Sequence, residues 1–262
     1  MEWMKLIALA LAPVIFLFTF VYLKDEYEKE PLKYLLITFF LGAAVAWIIW
    51  RLGMAASYLP SYAEVQDQWY GFFFYFLDWI GDRSSWAGMI LHTFIVIAAV
   101  EEGGKYLVLR WYNYPHKEFD EPYDGIMYGV AVSLGFAAVE NLLFGYYRPN
   151  GTEILMFRMF TAVPAHAMFG VIMGYYVGKA KFGKEGKSPL VLRMQGLAGA
   201  ILFHGLYDVF LINRGWQFLP VLAFLVLGLG ISLSRHAMRL HADISPHKDV
   251  PNSDPPQPPI AS

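Results

Sequence analysis

Seven long apolar runs lie along this chain, at 3–23, 32–54, 86–111, 123–147, 153–179, 190–213 and 217–235, with short polar links between them except for the longer stretch 55–85. A helix rising 1.5 Å per residue needs about 20 apolar residues to cross roughly 30 Å of hydrocarbon. The pattern therefore predicts an all-α, polytopic transmembrane helical bundle of about seven spans. The run at 69–80 is apolar and aromatic but too short to cross, and is expected to lie in the interface as a short helix. The first run lacks a small-residue cleavage site and reads as a retained span. Residues 1–240 are expected to form the membrane domain, and 241–262 a disordered tail rich in proline after Val250.

Basic residues orient the bundle. With seven spans, thirteen lysines and arginines, among them Lys24, Lys29, Lys33, Arg110, Lys179 and Lys181, fall on the side of the carboxyl tail. Six, including Arg51, Arg148 and Arg158, fall on the other. The positive-inside rule then puts the amino terminus outside and the tail in the cytoplasm of a cell-membrane protein. An eighth span at 69–80 would mix the two groups.

Polar residues interrupt four of these runs. The third carries Glu101, Glu102 and Lys105 in the stretch E-E-G-G-K; the fourth Glu140 and Asn141; the fifth His166, after Pro164; the sixth His204 and Asp208. A charged side chain at the bilayer centre costs about 2.5–3.5 kcal/mol on translocon scales, so such residues face a protein interior. On a helix Lys105 reaches either glutamate, at i+4 or i+3. A single Glu–Lys pair would be enough to fix helix register, which leaves the second glutamate for a cavity. Small residues lead to each polar group: Gly125, Gly129, Ser133 and Ala137 toward Asn141; Gly170, Gly174 and Gly178 after His166; Gly196 and Ala200 before His204. Such lines mark close helix contacts in membranes. Counted along each helix, Glu101, Glu140, His166 and His204 all lie about 19–24 Å from the same edge.

Composition narrows the chemistry. Charged residues make up 16% and hydrophobic residues 57% of the chain, where soluble domains average about 25% charged. The net charge of −2 leaves no basic surface for nucleic acid. There is no cysteine, hence no thiol nucleophile or thiolate metal site. No G-x-S-x-G elbow is present. What is left is water activated by acids and imidazoles. His166, His204 and Glu140 would also satisfy a His₂Glu zinc site, although the H-E-x-x-H motif is absent.

These blocks resemble the PrsW family of intramembrane proteases, itself likened to the type II CAAX prenyl proteases. The likeness runs from about residue 100 to 210 and rests on five motifs. They are E-E-G-G-K from Glu101, D-G-I-M-Y-G-V from Asp124, G-F-A-A-V-E-N from Gly135, P-A-H-A from Pro164 and H-G-L-Y-D from His204. The resemblance implies a metalloprotease, or a glutamate-type hydrolase. It puts Glu101 and Glu102 in the catalytic acid motif and makes His166 the histidine that holds the water. His204 and Asp208 then stand at the oxyanion. Lys105 stands where prenyl proteases carry an arginine one residue later. The family's role implies cleavage of a membrane-anchored protein such as an anti-sigma factor.

The expected function is hydrolysis of a peptide bond in a single-span membrane protein. Glu101 with His166 activates the water, Glu102 pairs with Lys105, and His204, Asp208 and Asn141 stabilise charge. Three other readings stay open from the residues alone: a CAAX-like prenyl peptidase, a proton-coupled transporter, and a lipid-headgroup pocket. Inverted repeats, the mark of many transporters, are not found.

Overall fold

A computed structural model describes residues 2–25, 28–56, 85–183, 186–212 and 218–248. The short interfacial helix expected at 69–80 and the proline-rich stretch after Val250 lie outside the described residues. Most of the described residues are helical, and none of them is in a strand. The helices are α1 (Glu2–Lys24), α2 (Leu32–Ala56), α3 (Trp86–Asn113), α4 (Pro122–Tyr147), α5 (Gly151–Arg158), α6 (Ala162–Phe182), α7 (Pro189–Ile212) and α8 (Leu219–Asp243). Six are long and apolar enough to cross a membrane, and up to seven crossings result if α5 and α6 count as one broken span.

The bundle is built around α4. Its apolar window is 78% buried, against 22–33% for the other single spans. Glycine makes that possible. Gly125 and Gly129 lie against the backbone of Gly170, Gly174 and Gly178 on α6, so closely that a β-carbon at Gly129 would strike the Gly170 carbonyl. Gly135 and Gly42 bring α4 equally near to α2 at Phe39 and Val132. In lipid there is no hydrophobic force between helices, so packing at backbone contact supplies the association.

The two ends of the bundle differ. At one, Trp3 meets Tyr146 and Trp50 meets Tyr147, with ring centroids 5.0 and 5.2 Å apart. At the other, the α3–α4 link meets α2, α6 and the end of α8, through Tyr34 with His116, Lys181 Nζ with the His116 carbonyl, and Ser245 with Glu121. The first and last described residues thus sit at opposite ends. The last helix also runs past 240, the expected limit of the membrane domain. His241 is buried and stacks on Tyr175 at 4.3 Å, which keeps this stretch ordered.

Two helices depart from the straight spans expected. The fifth run, read as one helix over 153–179, is broken: α5 and α6 meet at 42°. Pro164 has no N–H to give the Phe160 carbonyl, and Thr161 sits at φ −124°, ψ −73°, between the pieces. In α3 the α-helical segment Ala99–Val108 is bracketed by wider π turns, His92–Ala98 and Leu109–Asn113. Such turns insert a residue and re-aim the helix beyond them, and they recur at functional sites. Here they bracket the segment that carries Glu101, Glu102 and Lys105.

Candidate active site

A cavity of ≈ 570 Å³ opens among α2, α3, α4, α6 and α7, reaching Trp50, Tyr147 and Arg148 at the tryptophan-rich end. Glu101, Glu140, Arg158, His166, His204 and Asp208 all line it. The four polar groups expected at one depth are therefore gathered at one place.

Lys105 is the hub. Its side chain is fully buried, and Nζ donates to Glu102 Oε1 at 2.7 Å. The same nitrogen lies 3.1 Å from His166 Nδ1 and 4.0 Å from Glu101 Oε2. Phe136 covers it, its ring centroid 4.2 Å away. An ammonium donates only, so His166 Nδ1 accepts and His166 Nε2 carries the proton. That N–H meets Glu140 Oε2 at 2.8 Å. Both imidazole nitrogens of His166 are then in use.

His204 is arranged differently. Nδ1 lies 2.8 Å from Glu102 Oε1, which as a carboxylate accepts. Nε2 is 3.4 Å from Asp208 Oδ2, one helical turn on, and 4.0 Å from Glu101 Oε2. Phe169 stacks on the ring at 4.7 Å and 14°. Glu102 is thus sealed between Lys105 and His204, with no exposed side-chain surface. Glu101 is the acid of the motif that reaches the cavity. Its side chain is 13% exposed, and its Oε2 is buried with no hydrogen-bond partner.

Asn141 does not face the cavity. Its Oδ1 accepts from Arg158 Nε at 2.7 Å, and its Nδ2 donates to the Ala10 carbonyl at 3.4 Å. Arg158 in turn donates from Nη2 to Glu140 Oε2 at 2.5 Å. Counted by sequence as a charge of the outer side, Arg158 is brought over Glu140 by the break between α5 and α6. Its place inside the apolar run I-L-M-F-R-M-F was the available signal. Phe136 and Phe169 were likewise missed, because aromatic residues in an apolar span read as packing.

The zinc set expected from His166, His204 and Glu140 is not assembled in this arrangement. Among the described residues, the only three acids or histidines with donor atoms all within 4.8 Å of one another are Glu28, Asp120 and His247, elsewhere in the fold. At the cavity, His166 and Glu140 face each other across a hydrogen bond while His204 turns toward Glu102 and Asp208. The ammonium of Lys105 already supplies positive charge among them. The donors present do not fit a three-ligand catalytic metal.

Comparison with known proteins agrees with these motifs. A family model described as PrsW family intramembrane metalloprotease matches residues 30–231. The chain is 38% identical over 224 residues to the Protease PrsW of Geobacillus kaustophilus, covering 85% of this chain and 87% of that one. It is 35% identical over 223 residues to the Protease PrsW of Bacillus subtilis, covering 84% and 90%. The corresponding figures for the Halalkalibacterium halodurans protein of the same name are 37% over 226 residues, 86% and 92%. No solved structure matches the chain.

Proposed function

This chain belongs to the PrsW family and is a multi-pass intramembrane protease, and from that premise we propose that Glu101 and His204 together hold the water that attacks the peptide bond. The observation that carries this reading is the Glu101 carboxylate, the one acid of the E-E-G-G-K motif that lines the cavity; its Oε2, like that of Glu102, is buried with no hydrogen-bond partner, but Glu102 does not reach the cavity. Its Oε2 stands 4.0 Å from His204 Nε2, a separation that one bridging water spans.

The chemistry follows from these roles. Glu101 takes a proton from the water as its oxygen bonds to the scissile carbonyl carbon. The C–N bond then breaks, and Glu101 returns the proton to the leaving amine. Arg158, on the cavity wall, supplies positive charge toward the developing oxyanion. Glu102 and Asp208 orient His204. His166 is a positioning residue, tying Lys105 on α3 to Glu140 on α4, in place of the water-holding role expected of it. Asn141 acts through Arg158. No step is routed through a metal, since the residues at the cavity do not gather three donors. Zn²⁺ there would require His166 or His204 to leave its present partners.

The substrate is a single-span membrane protein, with an anti-sigma factor the candidate implied by family resemblance. Lysine and arginine bias puts the tryptophan-rich end outside, so the cavity opens toward the outer leaflet and the tail lies in the cytoplasm. The test is co-expression with end-tagged single-span substrates, with a prenylated substrate beside them. Glu101→Gln should reduce cleavage by at least about 10²-fold while leaving insertion and thermal stability unchanged. Normal turnover by that variant would remove Glu101 from the base role. Chelation of purified wild-type protein should leave turnover unchanged. Loss of turnover restored by zinc, with that zinc no longer bound by His204→Ala, would instead place a metal at the cavity.

A further inference from the structure

At the end of the bundle away from the cavity mouth, α3 stops at Asn113, α6 stops at Phe182 and α7 starts at Pro189. Tyr114 stands among these three helix ends. Its hydroxyl donates to the Ala180 carbonyl on α6 at 3.3 Å. Its ring has three cations within cation–π reach. Arg110 of α3 lies 5.4 Å from the ring centroid, Lys181 of α6 5.7 Å and Arg193 of α7 4.9 Å. All three are partly exposed. Each sits within about one turn of its helix end, the depth at which a span leaves the hydrocarbon and meets the headgroups.

These charges are not balanced within the fold. Lys181 is the best served: its Nζ donates to the His116 carbonyl at 3.2 Å, and Asp124, Asp120 and Glu30 act on it. Arg110 and Arg193 have no such outlet. Among the described residues neither makes a hydrogen bond or an ion pair, and Arg193 Nε is buried without an acceptor. A buried donor with no acceptor calls for an explanation. Two guanidiniums converging from separate helices match the oxygens of a phosphate. Apolar side chains flank both arginines: Leu107 and Trp111 on α3 are 42% and 70% exposed, and Leu190 and Met194 on α7 are 56% and 38% exposed. Acyl chains below a bound headgroup can lie along them, whereas a free phosphate ion has no use for them.

We propose that Arg110 and Arg193, spaced by the Tyr114 ring and with Lys181 beside them, bind the phosphate of one anionic phospholipid. The lysine and arginine bias puts this end in the cytoplasm, where basic pockets between membrane helices meet anionic headgroups. The lipid joins the end of α3 to the start of α7, the two helices that carry Glu101 and His204. Its binding does not depend on the hydrolytic roles assigned above.

The test uses full-length protein, delipidated in neutral detergent, in phosphatidylcholine micelles titrated with phosphatidylglycerol. Bound lipid is counted by native mass spectrometry, and the thermal midpoint is followed in parallel. Wild type should retain about one phosphatidylglycerol in preference to phosphatidylcholine and gain stability, as expected for a ligand of the folded state. Arg110→Gln and Arg193→Gln should each weaken binding at least about fivefold, and the double variant should lose the preference. Arg193→Lys, which keeps the charge without the fork, should fall between wild type and Arg193→Gln. Lys24→Gln removes an exposed charge at the same end outside the cluster and should bind within about twofold of wild type. No preference for phosphatidylglycerol in wild type, wild-type binding by the double variant, or equal weakening in Lys24→Gln each overturns the assignment. A gain in midpoint from inorganic phosphate alone that matches the gain from phosphatidylglycerol overturns the lipid as its source.

Discussion

The molecule holds two polar clusters, and they treat charge in opposite ways. At the cavity, four acids (Glu101, Glu102, Glu140, Asp208) share two cations and two histidines in one connected set of contacts. At the other end, Asp25, Glu28, Glu30, Asp120, Glu121 and Asp124 outnumber the basic groups beside them, Lys29, Lys181 and His247. Burial and the neighbouring Glu121 push Asp25 up to about 7. Burial pushes Glu30 up to about 7 and raises Glu121 as well. Where lipid surrounds the site, an unpaired charge has no outlet, so Glu102, Glu140 and Asp208 each have a cation or histidine within 3.4 Å, while Glu101 has them no nearer than 4.0 Å. Beside water, like charges can stay together, because protons or a cation from solution absorb the repulsion. Glu101 is the exception within the compensated cluster, and that is the reason to place the chemistry there.

The largest expected effect comes from breaking compensation at the cavity. Lys105→Met leaves Glu102 fully buried with His204 as its single remaining partner. Removing one side of a buried ion pair costs on the order of 3–5 kcal/mol, which should appear as a large drop in thermal midpoint in detergent and little recoverable protein. Adding Glu102→Gln to that variant should restore much of the midpoint, since neither charge is then left alone, without restoring cleavage. Equal instability of the double variant would mean that Lys105 matters for packing under Phe136 and not for charge.

Arg158→Met is the next in size. It frees Glu140 and Asn141 of a cation whose hydrogen bonds run at 2.5 and 2.7 Å. Bonds to charged groups are worth about 1.5–3 kcal/mol each, but Glu140 keeps His166 and lies at the cavity, so the net loss of stability should be near the lower figure. Cleavage should fall further than stability does, with kcat changed more than KM, if Arg158 faces the oxyanion. A change in KM alone would reduce it to a brace for α5.

How much of the molecule was legible before the fold depends on where each residue stands. Periodicity and length were enough for seven apolar runs, and spacing along single helices was enough to bring Glu101, Glu140, His166 and His204 to one depth. The glycines at 125, 129, 170 and 174 announced the α4–α6 contact, because only close backbones need them. Partner choice was not legible. His204 stands 4.0 Å from Glu101 while His166 turns to Lys105 and Glu140, and Arg158 reaches Glu140 across the break between α5 and α6; both follow from contacts between helices. Neither leaves a periodic trace. The cluster at the far end was the least readable of all. Positions near 25, 120 and 247 sit in polar links with no pattern, and only the ends of α1, α3, α4 and α8 meeting in space bring them together.

The smallest effect sharpens the comparison from the uncompensated side. The Asp25 carboxyl stands at about 7 in the folded protein against an ordinary value of 3.8. Between those values the folded form holds a proton that the unfolded form has released. Stability from this group is therefore fully present below about pH 4 and is lost as pH rises through about 7. An asparagine side chain does not titrate, so in chelator-treated protein the Asp25→Asn variant should gain on wild type as pH is raised from about 5 to about 8. The gain should be about 1 kcal/mol or less, because nearby water screens the site. Thermal midpoints of both proteins across that range measure it. Parallel curves would mean that Asp25 already has a cationic partner at this end of the bundle, and the contrast between a neutralised membrane cluster and a repulsive aqueous one would no longer hold.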